Sequence, residues 1–145
     1  MSGDGPTLYS RALLDLARAP RHTGKLAEPA QVARVDNALC GDRVTLHVRV
    51  KDGVLVSVAH QTRGCALCIA SASVMAEAVM AESVETAERR AVSVVAELAP
   101  LCLELPVLTD PAMALFDGVR GMPGRRGCVA LPWQALREVL GSTGG

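Results

Sequence analysis

Nine consecutive residues set the framework of this chain. From Arg43 to Lys51, the apolar Val44, Leu46, Val48 and Val50 alternate with Arg43, Thr45, His47, Arg49 and Lys51. That two-residue period belongs to a strand with one face in a core and the other toward water. Asp52-Gly53 comes next, a pair that accepts the positive φ angles of a tight hairpin, so Val54 to Thr62 returns as the antiparallel partner. Gln31 to Asp36 supplies a short third strand. The alternation puts His47 on the polar side and predicts it exposed, with His60 in the partner strand and His22 in a loop. None of the three is expected to bind a metal.

Helical patterns surround this sheet. Leu8 to Arg18 carries Leu8, Ala12, Leu13 and Leu16 on one side of a 3.6-residue period, with Leu14 as an apolar misfit on the other, and Pro20 stops it. Ala66 to Ala81 holds neither proline nor glycine and reads as a helix. Ser83 caps a further helix from Val84 to Leu98, which Pro100 ends. Pro106 and Pro111 break Leu101 to Leu115 into short helical pieces. Asp117 to Gly127, with Gly118, Gly121, Pro123, Gly124 and Gly127, reads as a loop of constrained backbone. A last helix is predicted from about Val129 to Leu140, with Pro132 accommodated in its first turn. The order is helix, three strands, then helices. It predicts an α+β fold, a small three-stranded antiparallel sheet packed against helices, in one domain over residues 1–145, with 1–7 and 142–145 as flexible tails.

A 145-residue chain buries roughly 70% of the surface its unfolded form exposes, so no disulfide or metal is needed merely to fold it. Fifteen Lys and Arg balance fifteen Asp and Glu, and Tyr9, Phe116 and Trp133 are the only aromatics. Neither a general cationic field nor a base-stacking platform is available, which argues against nucleic acid as a partner. Glu104 interrupts the longest leucine-rich stretch, Leu98 to Leu108, so no membrane span is expected. The opening Met-Ser-Gly-Asp-Gly-Pro lacks the basic and apolar regions of a secretory signal. The expected location is the cytoplasm, a reducing compartment in which five cysteines serve metal binding, thiol chemistry or plain core filling.

Three of the five fall at element ends. Cys40 lies in the turn between the first two strands, where Gly41 lets its thiol and the Asp42 carboxylate converge. Cys65 follows Arg63-Gly64 at the junction of strand and helix. Cys128 follows the glycine-rich segment and is expected to open the last helix. A thiol at a helix N-terminus meets free N–H groups and the positive end of the dipole, which favour the thiolate that metals and electrophiles require. Three thiolates and one carboxylate suit a tetrahedral site for zinc or a similar ion. Such a site is doubly negative, so it gains from nearby arginines: Arg63, Arg125 and Arg126 are the candidates. A carboxylate among thiolates is the weaker ligand for a soft metal, which makes the site exchangeable and suits transfer chemistry better than a structural staple. Against this stands the commonest fate of cysteine, a small buried hydrophobe. Cys102, inside Leu-Cys-Leu, reads as core. Cys68 completes a Cys65-Ala66-Leu67-Cys68 pair but has no βαβ context, and a packed helix residue is the favoured reading. Ser71 and Ser73 lie in a helix with no base nearby in sequence, which gives no support to a serine nucleophile.

Several motifs occur in a fixed order: Asn37-x-x-Cys40-Gly41-Asp42, Gly64-Cys65 with Ala70-Ser71-Ala72-Ser73, and Gly118-Val119 through Pro123 and Arg125 to Cys128, followed by Leu131, Trp133 and Ala135-Leu136. With Leu8-Tyr9, Pro20-Arg21 and Gly24 ahead of them, they resemble the iron–sulfur cluster assembly proteins of the IscU/NifU N-terminal family from about residue 8 to 141. The segment between Cys65 and Cys128 and the ending Leu131-Pro132-Trp133 are similar to the SufU branch, and the Leu-Pro-Pro-Val-Lys stretch of IscU is not visible. Three positions depart from the family pattern. Gly127 stands where IscU has histidine and SufU usually lysine, Ala38 where proline is usual, and Cys68 is not a usual family cysteine, which makes it a candidate spare ligand.

The resemblance implies a metal site of Cys40, Asp42, Cys65 and Cys128 that holds zinc in the SufU branch, with Arg125 as supporting charge. It also implies a cysteine desulfurase of the SufS type as sulfur donor and downstream iron–sulfur assembly proteins as partners. Cys40 is the expected persulfide acceptor, being the ligand on the most mobile element, and Cys128 is the alternative. Two further readings stay open: a scaffold that assembles a [2Fe-2S] cluster, or binds iron, on the same cysteines, and a structural zinc domain. The expected role is that of an accessory sulfurtransferase at most.

Overall fold

The computed structural model describes residues 10–38, 40–99 and 108–143. The expected α+β architecture is what it contains. Helix α1 (Arg11–Arg18) begins at Ser10, whose hydroxyl accepts from the Leu13 N–H, an N-cap of the usual kind. Strands β1 (Gln31–Asn37), β2 (Asp42–Lys51) and β3 (Val54–Arg63) form one antiparallel sheet in the order β1-β2-β3. The turn at Asp52-Gly53 has φ of 54° and 76°, the two positive angles that a two-residue hairpin of matching twist requires. Val44, Leu46 and Val48 point from β2 into the core and are fully buried.

Helix α2 (Ala66–Val79) and helix α3 (Val84–Leu98) follow. Ser83 caps α3 as expected, accepting from the Thr86 N–H. The link between them closes the outer edge of β3: the Leu55 N–H donates to Glu82 O at 2.9 Å and the Ala81 N–H to Leu55 O at 2.7 Å. Helices α2 and α4 (Pro123–Thr143) pack on the inner face of the sheet, with α1 and α3 against them.

Several expectations need correction. The segment 117–127 is not a loop. Pro111–Gly121 is a 3₁₀ helix, η1, and α4 starts at Pro123 rather than near Val129. Met113, Phe116 and Val119 are buried at intervals of three, the repeat on which a 3₁₀ helix eclipses its side chains. Pro123 opens α4 where a missing N–H costs nothing, and burial of Val129, Leu131, Trp133 and Leu136 outweighs the helix penalty of Gly124 and Gly127. Pro132 therefore lies in the middle of α4 and not in its first turn, and it leaves the Cys128 carbonyl without an i+4 donor. At the C-terminus, α4 continues to Thr143, into the stretch expected as a tail. Cys102 and Leu8-Tyr9 lie outside the described residues.

His47 also departs from expectation: it is 7% exposed. Thr23 bridges His60 beyond β3, whereas the next strand, β1, is at the opposite edge, so the chain between must cross the sheet. Arg49, on the outer face, donates from Nε to Pro29 O at 3.1 Å and from Nη2 to Ala27 O. The crossing therefore runs over the outer face and covers His47 and Ala59. A two-residue alternation reports which way a side chain points and nothing about a distant segment laid over it.

Candidate metal centre

One end of the sheet gathers the chemistry. Cys40 sits in the turn after β1, where the Gly41 N–H donates to Asn37 O at 2.8 Å and Gly41 has φ of 76°. A left-handed residue there is most easily glycine, and it brings Asp42, the first residue of β2, back beneath Cys40. Cys65 is the N-cap residue of α2 and makes no side-chain capping bond, so its thiol is not tied to its own helix. The Cys65 N–H donates instead to Asp42 Oδ1 at 3.3 Å, and the Cys65 Sγ lies 3.9 Å from Asp42 Oδ2. Asp42 thus caps α2 from a neighbouring strand.

Cys128 does not open its helix. It is the sixth residue of α4, beyond the first turn where the helix dipole is felt. It is 1% exposed, and its Sγ lies 3.6 Å from that of Cys40. Burial, followed by the nearby Asp42, Cys40 and Cys65, pushes the Cys128 thiol far above its ordinary pKa. A buried group that repels its own anion among other anions is what a cation relieves.

Cys40, Asp42 and Cys128 present donor atoms all within 4.8 Å of one another. Two sulfurs on a tetrahedral zinc, each at about 2.3 Å, stand about 3.8 Å apart. The 3.6 Å between the Cys40 and Cys128 sulfurs fits such a tetrahedron, whereas Cys65, whose Sγ is 3.9 Å from Asp42 Oδ2, stands outside this group of three. Asp42 is 2% exposed and Cys40 is exposed, so the cluster opens to solvent on the Cys40 side.

The other sequence candidates fall elsewhere. Arg125 is exposed in the first turn of α4. Arg126 is buried, and its Nη1 donates to Ala99 O at 3.1 Å, tying the end of α3 to α4. It also lines, with Asn37, Cys40, Gly127 and Ala130, a cleft of about 250 Å³ beside the Cys40 thiol. Cys68 is fully buried in the core cluster, and burial ahead of all else raises its thiol pKa. Ser71 donates to Val129 O at 2.6 Å and Ser73 accepts from the Arg21 N–H at 3.0 Å, so both serines serve packing. His60 is buried between Arg21 O and Thr62 Oγ1, away from the cluster. An apolar cleft of about 620 Å³ between α1 and α2 shares no residue with the cysteines.

Sequence reasoning named Gly64 only as part of a motif, and its role is steric. A Cβ at position 64 would lie 2.4 Å from Asp42 Oδ1. The signal was present in the sequence: a glycine at the end of a strand with no turn to serve.

Residues 8–119 match the family described as NifU-like N terminal domain. The chain is 31% identical over 142 residues to the iron-sulfur cluster assembly scaffold protein IscU of Thermotoga maritima, covering 92% of each. It is 29% identical over 133 residues to the zinc-dependent sulfurtransferase SufU of Bacillus subtilis, covering 91% of this chain and 88% of that one. Among solved structures, the scaffold protein for the SUF system from Fervidobacterium islandicum AW-1 superposes with a TM-score of 0.79 at 29% identity, covering 92% of this chain and 96% of that chain. The N-terminal NifU-like protein of Brucella abortus gives 0.78 at 31% identity, covering 92% of each chain.

Proposed function

Since the chain belongs to the NifU-like N-terminal domain family, we propose that it serves iron–sulfur cluster biogenesis as a zinc-dependent sulfur acceptor. It takes persulfide sulfur from a cysteine desulfurase, of the SufS type. The observation that carries this reading is the asymmetry of the cluster: Cys40 is exposed on a turn, while its neighbours Asp42 and Cys128 are buried beneath it. Cys40, Asp42, Cys65 and Cys128 would hold the metal, and a bound zinc would stabilise thiolates that burial otherwise disfavours.

The chain's own residues supply the rest. Asp42, fixed by the Cys65 N–H, anchors one side of the site. Cys128, buried in α4, anchors the other. Cys40 can swing outward because only its turn must move. Its thiolate attacks the terminal sulfur of the donor persulfide. A new S–S bond forms on Cys40, the S–S bond of the donor breaks, and the donor leaves as a thiolate, with no net oxidation. Thiol exchange of this kind needs access to the attacking sulfur, and Cys40 is the one member of the cluster that has it in full. Arg125, exposed at the start of α4, is a supporting charge.

A second reading, assembly of a [2Fe-2S] cluster on the same cysteines, is favoured by the relatives named as IscU scaffolds. Metal analysis together with the visible spectrum separates the two. One zinc per chain, no colour, and a marked rise in the turnover of a partner desulfurase support sulfur transfer. A brown protein with charge-transfer bands supports the scaffold, and zinc without any effect on the desulfurase reduces the site to a structural staple.

A further inference from the structure

The outer face of the sheet carries an arrangement that folding alone disfavours. In the row nearest the cysteine cluster, Arg43 of β2 stands directly opposite Arg63 of β3. Like charges so placed weaken a sheet. Arg34 of β1 lies one row further along, diagonal to Arg43. Asp36 offsets two of the three, at 2.7 Å from Arg43 and 3.6 Å from Arg34. Arg63 is exposed and makes no ion pair among the described residues. The strip is therefore locally cationic on a chain whose formal net charge is zero.

Its position matters as much as its sign. Arg43 directly follows Asp42, and Arg63 is two residues from Cys65. These arginines stand at the end of the sheet that carries the cluster, on its outer face, so a partner that reaches Cys40 around this edge meets them. The far half of the same face is closed by the crossing segment that Arg49 holds through Ala27 and Pro29, which leaves the cationic half as the open part.

We propose that Arg34, Arg43 and Arg63 form a docking strip for an acidic surface of the protein that delivers sulfur to Cys40. The proposal rests on the sulfur-acceptor reading above and adds the chemistry of the partner's contact. Charges at the rim of an interface act mainly by steering encounter, and they do so in a salt-dependent way. Nucleic acid is the less suitable occupant: three cations with no aromatic neighbour on this face among the described residues give little counterion release and no stacking.

The test uses the full chain and the cysteine desulfurase of the source organism, with association rates measured at low and high ionic strength. Arg43→Glu/Arg63→Glu is compared with the wild type and with Arg18→Glu, an exposed charge on α1 outside the strip. Zinc content reports the integrity of the fold, and Arg43→Gln/Arg63→Gln takes over the comparison if the double reversal loses its zinc. The expected result is association slowed about tenfold or more at low salt, a flattened salt dependence, and Arg18→Glu indistinguishable from the wild type. Equal rates and equal salt dependence in the strip variant and the wild type overturn the docking proposal alone. Tighter binding of a single-stranded RNA than of the desulfurase, lost in the same variant, also overturns it. A wild-type chain that neither associates with the desulfurase nor accepts sulfur overturns the functional reading itself.

Discussion

The Asp42 carboxylate lies against the α-carbon of Gly64, so close that a methyl group there would sit 2.4 Å from Oδ1 and 2.6 Å from Cγ. The contact involves a strand residue and the residue just ahead of Cys65, and it makes the position of the acidic group depend on the absence of a side chain. The carboxylate has no room to retreat, because it is also bonded to the Cys65 N–H.

Gly64→Ala is therefore expected to displace Asp42 without touching any sulfur. Loss of a group that orients a ligand typically lowers metal affinity about 10–100-fold. Competition with a chromophoric zinc chelator measures this. Wild-type affinity in the alanine variant would mean that Asp42 is not held by this contact.

Arg90 joins three elements. Its Nη1 donates to Ala78 O at the end of α2, and its Nε and Nη2 both reach the Asp110 carboxylate at 2.9 Å, ahead of η1. Asp110 is almost fully buried. Arg90→Leu strips both arginine bonds from the carboxylate, which keeps the Ala112 N–H, and removes the donor to the Ala78 carbonyl; it should cost about 2–3 kcal/mol, read from the urea midpoint.

The same pair gives a pH dependence with a definite sign. The Arg90 hydrogen bond first, and then the Ala112 N–H, hold the Asp110 pKa below 3.8 against the opposing effect of burial. Its contribution is complete above that value and is lost as pH falls below it. Asp110→Asn should remove this acid limb of the stability profile and lower stability at neutral pH, where the ionised carboxylate contributes in full.

His60 acts in a separate window. Burial keeps its pKa below 6.5 despite the Arg21 carbonyl. That carbonyl accepts from Nε2–H at 2.9 Å, and Nδ1 lies 2.8 Å from Thr62 Oγ1, which donates to it while burial keeps the ring neutral. Below 6.5 the unfolded chain binds a proton that the native one refuses, and stability falls with pH. His60→Gln, compared with the wild type in thermal melts from pH 7 down to pH 5, should flatten that decline.

Much of this molecule is legible in its residues. The β2 alternation, the Asp52-Gly53 turn and the Ser83 cap predict local structure because each acts within a few residues. Cys40, Asp42 and Cys65 are placed correctly for the same reason: they sit where the chain turns or changes period. Other features depend on distant parts of the chain. His47 is buried by residues some twenty positions earlier. Gly124 and Gly127 are helical because α4 has a core to fill, not because glycine favours it. The Cys128 position follows from that misread helix start, since a residue expected at an N-terminus is instead a turn deeper and buried. The meeting of Cys128 with Cys40 comes from packing across 88 positions, and no local spacing encodes it.

The central claim is that Cys40 is the sulfur acceptor of this cluster. The most direct measurement is the mass of the zinc-loaded chain after incubation with a cysteine desulfurase and cysteine, followed by peptide mapping. A one-sulfur adduct on the Cys40 peptide, absent in Cys40→Ala, is the predicted result. An adduct that persists in Cys40→Ala and disappears in Cys128→Ala would contradict it and give the acceptor role to Cys128.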